Sequence, residues 1–515
     1  MIDFTPLVRR RFIRQAERMD DWDTESAFIQ AHQLRSLLMA ASRTLIGRRY
    51  RFDEIASEYT TYGLINCFAS RVPVSGYEDI RPLVMRMLRG EKDILCPGAC
   101  RDFAQSSGTS GGKSKFIPIT PRALRRNHFA GASDAVSSYL RLVPGSKLFS
   151  GKALILGGSF ANELTASEVA AGVHVGDLSA TLISKTPRFA ELFRIPSKKI
   201  ALMADWEAKL PSIIEVAARH NVTNLSGVPS WFLVLLRRLM KEKGVDSLHD
   251  IWPDLEVFFH GGISFRPYRA QYESFTDASK MHFLENYNAS EGFFAVQTDF
   301  DSDAMTLLID RDIFYEFAPL QKDGGFGEPV DISRVEVGKI YSLIITTSSG
   351  LWRYAIGDTV EIVSAAPVRI RIAGRTKSFI NAFGEEVMEH NAETAIAAAC
   401  RASGCSVVNY TVAPLYAAEG RKGRHQWLVE WNQKPESIEQ FAAALDNELR
   451  RVNSDYDAKR KGDIFLDSPL ITTASVGLFD KWLATSGNGK LGGQRKVPRL
   501  ANDRMIIDKM LELNG

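Results

Sequence analysis

Apolar residues Phe28, Ala31, Leu34, Leu37, Leu38 and Ala41 recur with the spacing of one helix face, so residues 1 to about 50 are predicted helical. The basic run Arg9–Arg11 then falls on a solvated face. Helix and loop continue through 60–95, with Pro82–Leu88 a short helix carrying proline in its first turn. Phe116–Ile119 is apolar and extended, and Pro121 opens a helix from about 122 to 142. From Lys152 the pattern alternates. Strands are predicted at Ala153–Leu156, Val222–Leu225, Leu255–Phe259 and Met281–Glu285, and helices at Trp206–His220, Pro229–Lys243 and Pro267–Phe275. Such alternation predicts a mainly parallel sheet with helices on its faces. Ligands in such sheets sit at the carboxyl ends of the strands, here 157–158, 260–262 and 286–291.

Between 300 and 372 strand follows strand: Thr306–Ile309, Phe314–Phe317, Lys339–Thr347, Thr359–Ile362 and Val368–Ala373, an antiparallel sheet or small barrel. Beyond Gly374 the pattern is α+β, with helices at about 389–403, Ser437–Val452, Val476–Ala484 and from about 503, and strands Val407–Val412 and Gln426–Trp431. The chain therefore divides into a large domain, 1–373, and a small one, 374–515.

At 515 residues two or three cores are expected. A net charge of +3 gives no basic field for nucleic acid, and no apolar run is long enough to cross a bilayer. MIDFTPLVRRRF lacks the apolar core of a signal peptide. Five cysteines, Cys67, Cys96, Cys100, Cys400 and Cys405, are sparse and odd in number, as for free thiols in the cytoplasm.

Candidate chemistry centres on Ser106–Lys115, SSGTSGGKSK. Glycine lets backbone N–H groups approach an anion, hydroxyls donate to phosphate oxygens, and lysine adds a compact charge. A flexible surface loop has the same composition. The Walker A pattern fails by one residue, because only Thr109, Ser110 and Gly111 separate Gly108 from Gly112. A second stretch, Tyr287–Gly292 (YNASEG), joins an aromatic ring, a hydroxyl and a carboxylate, or is a strand-to-helix turn with a capping Asn288 or Ser290. In the third, Trp352–Asp358 (WRYAIGD), Asp358 offers two acceptor oxygens to a vicinal diol, or Gly357–Asp358 is a hairpin turn. Gly374–Lys377 is a hinge candidate, and Gly492–Arg499 a basic patch near the end of the chain.

The order of these stretches resembles the adenylate-forming superfamily of firefly luciferase and acyl-CoA synthetases. Within it the chain resembles the Gretchen Hagen 3 family of auxin-responsive acyl acid–amido synthetases. SSGTSGGKSK, YNASEG and WRYAIGD match that family's three nucleotide motifs, and GGQRKVPRL its C-terminal lysine motif. GRTKSFINAFGEEV departs from the plant hinge and looks like the shorter bacterial branch.

The resemblance implies an α/β adenylate-forming fold, ATP and Mg²⁺ as cofactors, and a ligase joining a small carboxylic acid to an amine or amino acid. By the same resemblance, Ser106, Ser107, Thr109 and Ser110 hold phosphates with Lys113 or Lys115. Tyr287 stacks on adenine, Ser290 touches the α-phosphate and Glu291 faces Mg²⁺. Asp358 takes the ribose hydroxyls with Arg375 nearby, and Lys496 reaches in from the small domain. Two alternatives stay open: a thioester-forming acyl-CoA ligase, and an inactive nucleotide-binding regulator. His174, Trp231, Phe232 and His260 are candidate lining for an acid pocket, or core aromatics.

Overall fold

The computed structural model describes residues 2–515 apart from 107–114, 161, 163, 166, 263–264, 267, 322–324, 376–378, 381, 384, 386, 416–422, 454–455, 458–459, 461–465, 486–496 and 502.

The amino-terminal region is helical, as its periodicity requires, with helices Thr5–Glu17, Trp22–Ala41 and Leu45–Tyr50. Leu34, Leu37, Leu38 and Ala41 are buried, whereas Phe28 is 68% exposed and lies off the apolar stripe. Gln30 docks the second helix on the sheet: its Nε2 donates to the carbonyls of Ile309 (2.7 Å) and Ile313 (2.8 Å), and its Oε1 accepts from Tyr315 N (2.7 Å). Arg9 is not a solvated cation. Its guanidinium donates to the carbonyls of Leu140, Val143 and Ser146 at the carboxyl end of helix Phe129–Leu142, where a cation offsets the unpaired carbonyls.

The strands before residue 290 are β1 (Asp102–Ser106), β2 (Lys115–Ile119), β3 (Lys152–Ile155), β4 (His174–Gly176), β5 (Arg194–Ile195), β6 (Val222–Gly227), β7 (Val257–Gly261) and β8 (His282–Ala289). They are followed by β9 (Gly292–Gln297), β10 (Met305–Leu307), β11 (Ile313–Pro319), β12 (Val330–Asp331), β13 (Ile340–Thr347), β14 (Tyr354–Ala365) and β15 (Val368–Arg375). β2, β1 and β4 make a small sheet, with β1 antiparallel to β2 and parallel to β4.

The others form one 12-stranded sheet in the order β12-β11-β13-β14-β15-β10-β9-β8-β7-β6-β3-β5. β5, β3, β6, β7 and β8 run parallel. From β8 to β12 every neighbour is antiparallel. The parallel and antiparallel parts expected from the sequence are thus hydrogen-bonded into one sheet that changes direction at β8/β9.

The parallel strands are apolar on both faces because both are covered. Val257 and Phe259 join one core cluster, and Phe258 between them joins the other with Phe232, Leu235, Leu236 and Leu239 of helix Pro229–Lys243. Each such fully buried side chain contributes about 1.5–3 kcal/mol. That helix starts with Pro229 in its first turn and stops at Gly244, φ 66°, a left-handed cap that suits glycine.

Past β15 a short antiparallel pair, β16 (Phe379–Ile380) and β17 (Val387–Met388), leads into helix Glu389–Ser403. A three-stranded sheet follows: β18 (Ser406–Leu415), β19 (Arg424–Gln433) and β20 (Leu470–Ala474). Its two faces carry separate cores, Val412, Trp427 and Val429 on one and Ala413 and Leu428 on the other, as period-two strands require. No helix among the described residues is long and apolar enough to cross a membrane.

Candidate functional site

Ser106 ends β1 and Lys115 begins β2, and the two are register partners. Ser107, Thr109, Ser110 and Lys113, between them, lie outside the described residues. Phe116 N, next to Lys115, donates to the Tyr77 hydroxyl at 2.7 Å. The Lys115 ammonium is 3.5 Å from the Tyr354 hydroxyl and 5.9 Å from the centre of the Tyr77 ring.

The YNASEG stretch is neither the end of a strand at Glu285 nor a turn into a helix. β8 continues to Ala289, Ser290–Glu291 form a two-residue turn, and β9 returns antiparallel with Ala289 opposite Gly292. The turn is held from below by Asn127, whose side chain bonds both main-chain groups of Phe293 (Nδ2 to O 3.0 Å, Oδ1 from N 2.7 Å). Asn127 sits in a π-helical turn, Leu124–His128, that interrupts the helix expected from Pro121. π-turns cluster at functional sites because they re-aim a side chain. The Ser290 hydroxyl is buried, 2% exposed, and has no partner among the described residues.

The WRYAIGD stretch is likewise not a hairpin turn. It opens β14, and Gly357 takes φ 89° inside the strand. The four-residue step from Ala355 to Thr359 faces only the step from Ile344 to Ser342 on β13, so β14 bulges at Ile356–Asp358. A bulge redirects the side chain it carries. Asp358, 9% exposed, accepts a 2.6 Å hydrogen bond from the Tyr287 hydroxyl. The Tyr287 ring packs on Phe294, centroids 4.8 Å apart. Asp358 is also the register partner of Arg375 on β15.

Two neighbours in this stretch are anchors. Trp352 Nε1 donates to Leu95 O (2.9 Å). Arg353, at φ 43°, is buried with its guanidinium on Glu316 (2.8–3.1 Å) and on the carbonyls of Ala69 (2.7 Å) and Val72 (2.8 Å).

Tyr354 links these parts. Burial pushes its hydroxyl well above the ordinary phenol range, and the neighbouring Glu291, Tyr77, Asp358 and Glu78 push it further. It therefore stays protonated and neutral, touched by Lys115 and acted on by the charges of Glu291 and Asp358. Ser106, Lys115, Tyr287, Ser290, Glu291, Asp358 and the backbone of Arg375 are thus carried by elements that meet around Tyr287 and Tyr354. Tyr77, Asn127 and Tyr354 were missed as site residues. Tyr354 lies inside a recognised motif, but a neutral phenol has no spacing rule to mark it.

Lys496 lies outside the described residues. Just past it the chain joins the edge of β18: Val412 N donates to Arg499 O (2.8 Å) and Ala501 N to Val412 O (3.0 Å). The four acid-pocket candidates do not behave alike. His174 is exposed on the small sheet, 3.3 Å from Asp102, and Phe232 is core. Trp231 is half-buried, and His260 is buried with its ring stacked on Phe265 at 4.2 Å. Burial, with help from Arg269, pushes the His260 ring down to about 3, so it is neutral at working pH.

Family models match three consecutive parts of the chain: the GH3 family N-terminal domain over residues 15–281, its central domain over 306–375 and its C-terminal domain over 390–505. The chain is 22% identical over 518 residues to the indole-3-acetic acid-amido synthetase GH3.4 of Arabidopsis thaliana, covering 86% of this chain and 85% of that one. It is 25% identical over 393 residues to the putative indole-3-acetic acid-amido synthetase GH3.10 of Oryza sativa subsp. japonica, covering 67% and 79%. Among solved structures, the GH3.15 acyl acid amido synthetase superposes with a TM-score of 0.77 at 20% identity, over 97% of this chain and 96% of that chain. A 2-hydroxyisobutyryl-CoA ligase superposes with a TM-score of 0.59 at 14% identity, over 94% and 91%. At these identities the structural likeness is one of fold.

Proposed function

The chain belongs to the GH3 family, and on that premise we propose that it is a ligase joining a carboxylic acid to an amine or amino acid through an acyl-adenylate. A carboxylate is a poor acylating agent because its leaving group would be oxide. Its oxygen attacks the α-phosphorus of ATP, the bond to the β-phosphate oxygen breaks, and pyrophosphate leaves. The amine then attacks the acyl carbon, the C–O bond to AMP breaks, and the ammonium proton passes to solvent.

The observation that supports this best is the convergence of three distant stretches: Tyr287 on Asp358 at 2.6 Å, and Lys115 on Tyr354 at 3.5 Å, with Glu291 and Asp358 both acting on Tyr354. In this proposal Ser106, Ser107, Thr109 and Ser110, with Lys113 or Lys115, hold the phosphates. Tyr287 lies against adenine, and Asp358, oriented by Tyr287, accepts the ribose hydroxyls beside Arg375. The buried Ser290 hydroxyl, without a partner among the described residues, fits an α-phosphate oxygen. Glu291 fits Mg²⁺, which needs one or two carboxylates and takes its other ligands from phosphates and water; bound there, the ion offsets charge on the phosphates. Lys496 stabilises the crowded phosphorus from a small domain beginning at Gly374, whose rotation would exchange the groups lining the site between half-reactions. The five free thiols fit a cytoplasmic setting.

A panel of carboxylic acids crossed with amino acids and with coenzyme A, read by pyrophosphate release and product mass, tests the proposal. Acid-dependent pyrophosphate and an amide product support it. A thioester product moves the chain to the other ligase class, and nucleotide binding with no acid-dependent pyrophosphate makes it a regulator.

A further inference from the structure

Lys115 is half-buried, yet among the described residues no carboxylate lies within ion-pairing distance of its ammonium. Among the described residues its ammonium meets two phenols, the Tyr354 hydroxyl at 3.5 Å and the Tyr77 ring face at 5.9 Å. The contrast with Arg353 is direct, for that buried cation is neutralised by Glu316. A cation withdrawn from water without a counter-charge is unfavourable unless something else compensates. A ring face and a hydroxyl lone pair attract an ammonium without cancelling its charge.

The two phenols, on β14 and on helix Tyr77–Leu88, are tied together by one short segment. Tyr77 begins helix Tyr77–Leu88 and accepts Phe116 N at 2.7 Å, next to Lys115. Two residues earlier, Ser75 holds the main chain on either side of Tyr354, donating to Arg353 O (3.0 Å) and accepting from Ala355 N (2.9 Å). Glu291 and Asp358 act on the same Tyr354 hydroxyl that Lys115 touches.

We propose that Tyr354 and Tyr77 are positioning residues that seat the Lys115 ammonium and keep it from pairing with Glu291 or Asp358, so that its charge is directed at the nucleotide phosphates. This rests on the adenylation proposed above. Neither phenol need touch the nucleotide; each acts through Lys115.

The test is a double-mutant cycle on the full chain: wild type, Tyr354→Phe, Lys115→Met and the double variant. Binding of the α,β-methylene analogue of ATP with Mg²⁺ is measured by calorimetry, alongside acid-dependent pyrophosphate release and the unfolding midpoint. Tyr354→Phe is expected to weaken analogue binding about tenfold, the size of one hydrogen bond to a charged group, with the KM for the acid unchanged. The double variant is expected to bind no more weakly than Lys115→Met alone. Losses that add, or a Tyr354→Phe variant that binds as wild type, overturn the proposal. If Tyr354→Phe does not fold, Tyr77→Leu in the same cycle carries the same expectation and the same refutation. Wild type that binds the analogue but releases no pyrophosphate with any acid refutes adenylation while the cycle still judges the seat. Wild type that does not bind it overturns both.

Discussion

Two buried histidines set a measurable acid limit on this fold. His260 (3% exposed) is pushed from the ordinary 6.5 down to about 3, by burial first and Arg269 second. His128 (2% exposed), in the π-turn, is pushed down to about 4 by burial. A lowered folded value means that the unfolded chain takes up the proton first. Stability is therefore intact above 6.5 and drains away as pH falls toward the folded values. At pH 5, about 1.5 units below the unfolded value, each ring lowers stability by about 2 kcal/mol. His260→Phe keeps an aromatic ring against Phe265 and Phe258 and removes a buried Nδ1 that has no partner among the described residues. Near pH 8 the variant should match or slightly exceed wild type. At pH 5 it should be more stable by about 2 kcal/mol, because the titrating group is gone. Carboxylates that also protonate in this range act on both proteins and cancel in the difference. Urea unfolding followed by tryptophan fluorescence at the two pH values measures it, and Trp252, buried in the same core cluster, reports on the region concerned. An equal loss of stability from pH 8 to pH 5 in variant and wild type would refute the reasoning.

Three further outcomes are expected. Glu316→Gln leaves the Arg353 guanidinium buried without its counter-charge and should destabilise by about 3–5 kcal/mol, seen as a lower calorimetric midpoint; an unchanged midpoint contradicts the clamp. Asp358→Asn exchanges a charged acceptor of the 2.6 Å Tyr287 bond for a neutral one and should weaken ATP binding at least about tenfold by titration calorimetry. Lys496→Ala should slow acid-dependent pyrophosphate release by at least roughly a hundredfold; an equal rate removes that lysine from the chemistry.

The elements that were legible in the sequence are those whose side chains answer to one local rule. Helix Pro229–Lys243 has proline at its start, glycine at its end and an apolar stripe, and it was read to the residue. Four parallel strands are legible as apolar runs with shifted ends, β7 running Val257–Gly261 rather than Leu255–Phe259, whereas the two-residue β5 (Arg194–Ile195) is too short to show a pattern. What was misread depends on partners distant in the chain. Asn288 and Ser290 are turn formers, so their local rule ends β8 early, but Asn127 and the ladder to β9 carry it to Ala289. Gly–Asp favours a hairpin, but here it makes a bulge within β14. Arg9 looked like a solvated charge because the carbonyls it caps lie beyond residue 139.

The Tyr287–Asp358 hydrogen bond constrains the sheet itself. β8 and β14 are separated in it by β9, β10 and β15. In a flat sheet four strand spacings amount to about 19 Å. A tyrosine and an aspartate side chain together cannot span that distance, yet their oxygens are 2.6 Å apart. The antiparallel half must therefore coil until β14 comes round to face β8, which is how a chain read as a small barrel remains hydrogen-bonded to a parallel sheet. The means are visible in the pairing. Register slips fall at Tyr287/Asn288 on β8, at Ser342/Ile344 beside β14, and at Thr359/Val360 between β14 and β15. A bulge bends and twists the strand that carries it. The slips thus flank the two residues that meet, and they bring β14, with Asp358 and Tyr354, to the carboxyl end of the last parallel strand, where an α/β sheet binds its ligand.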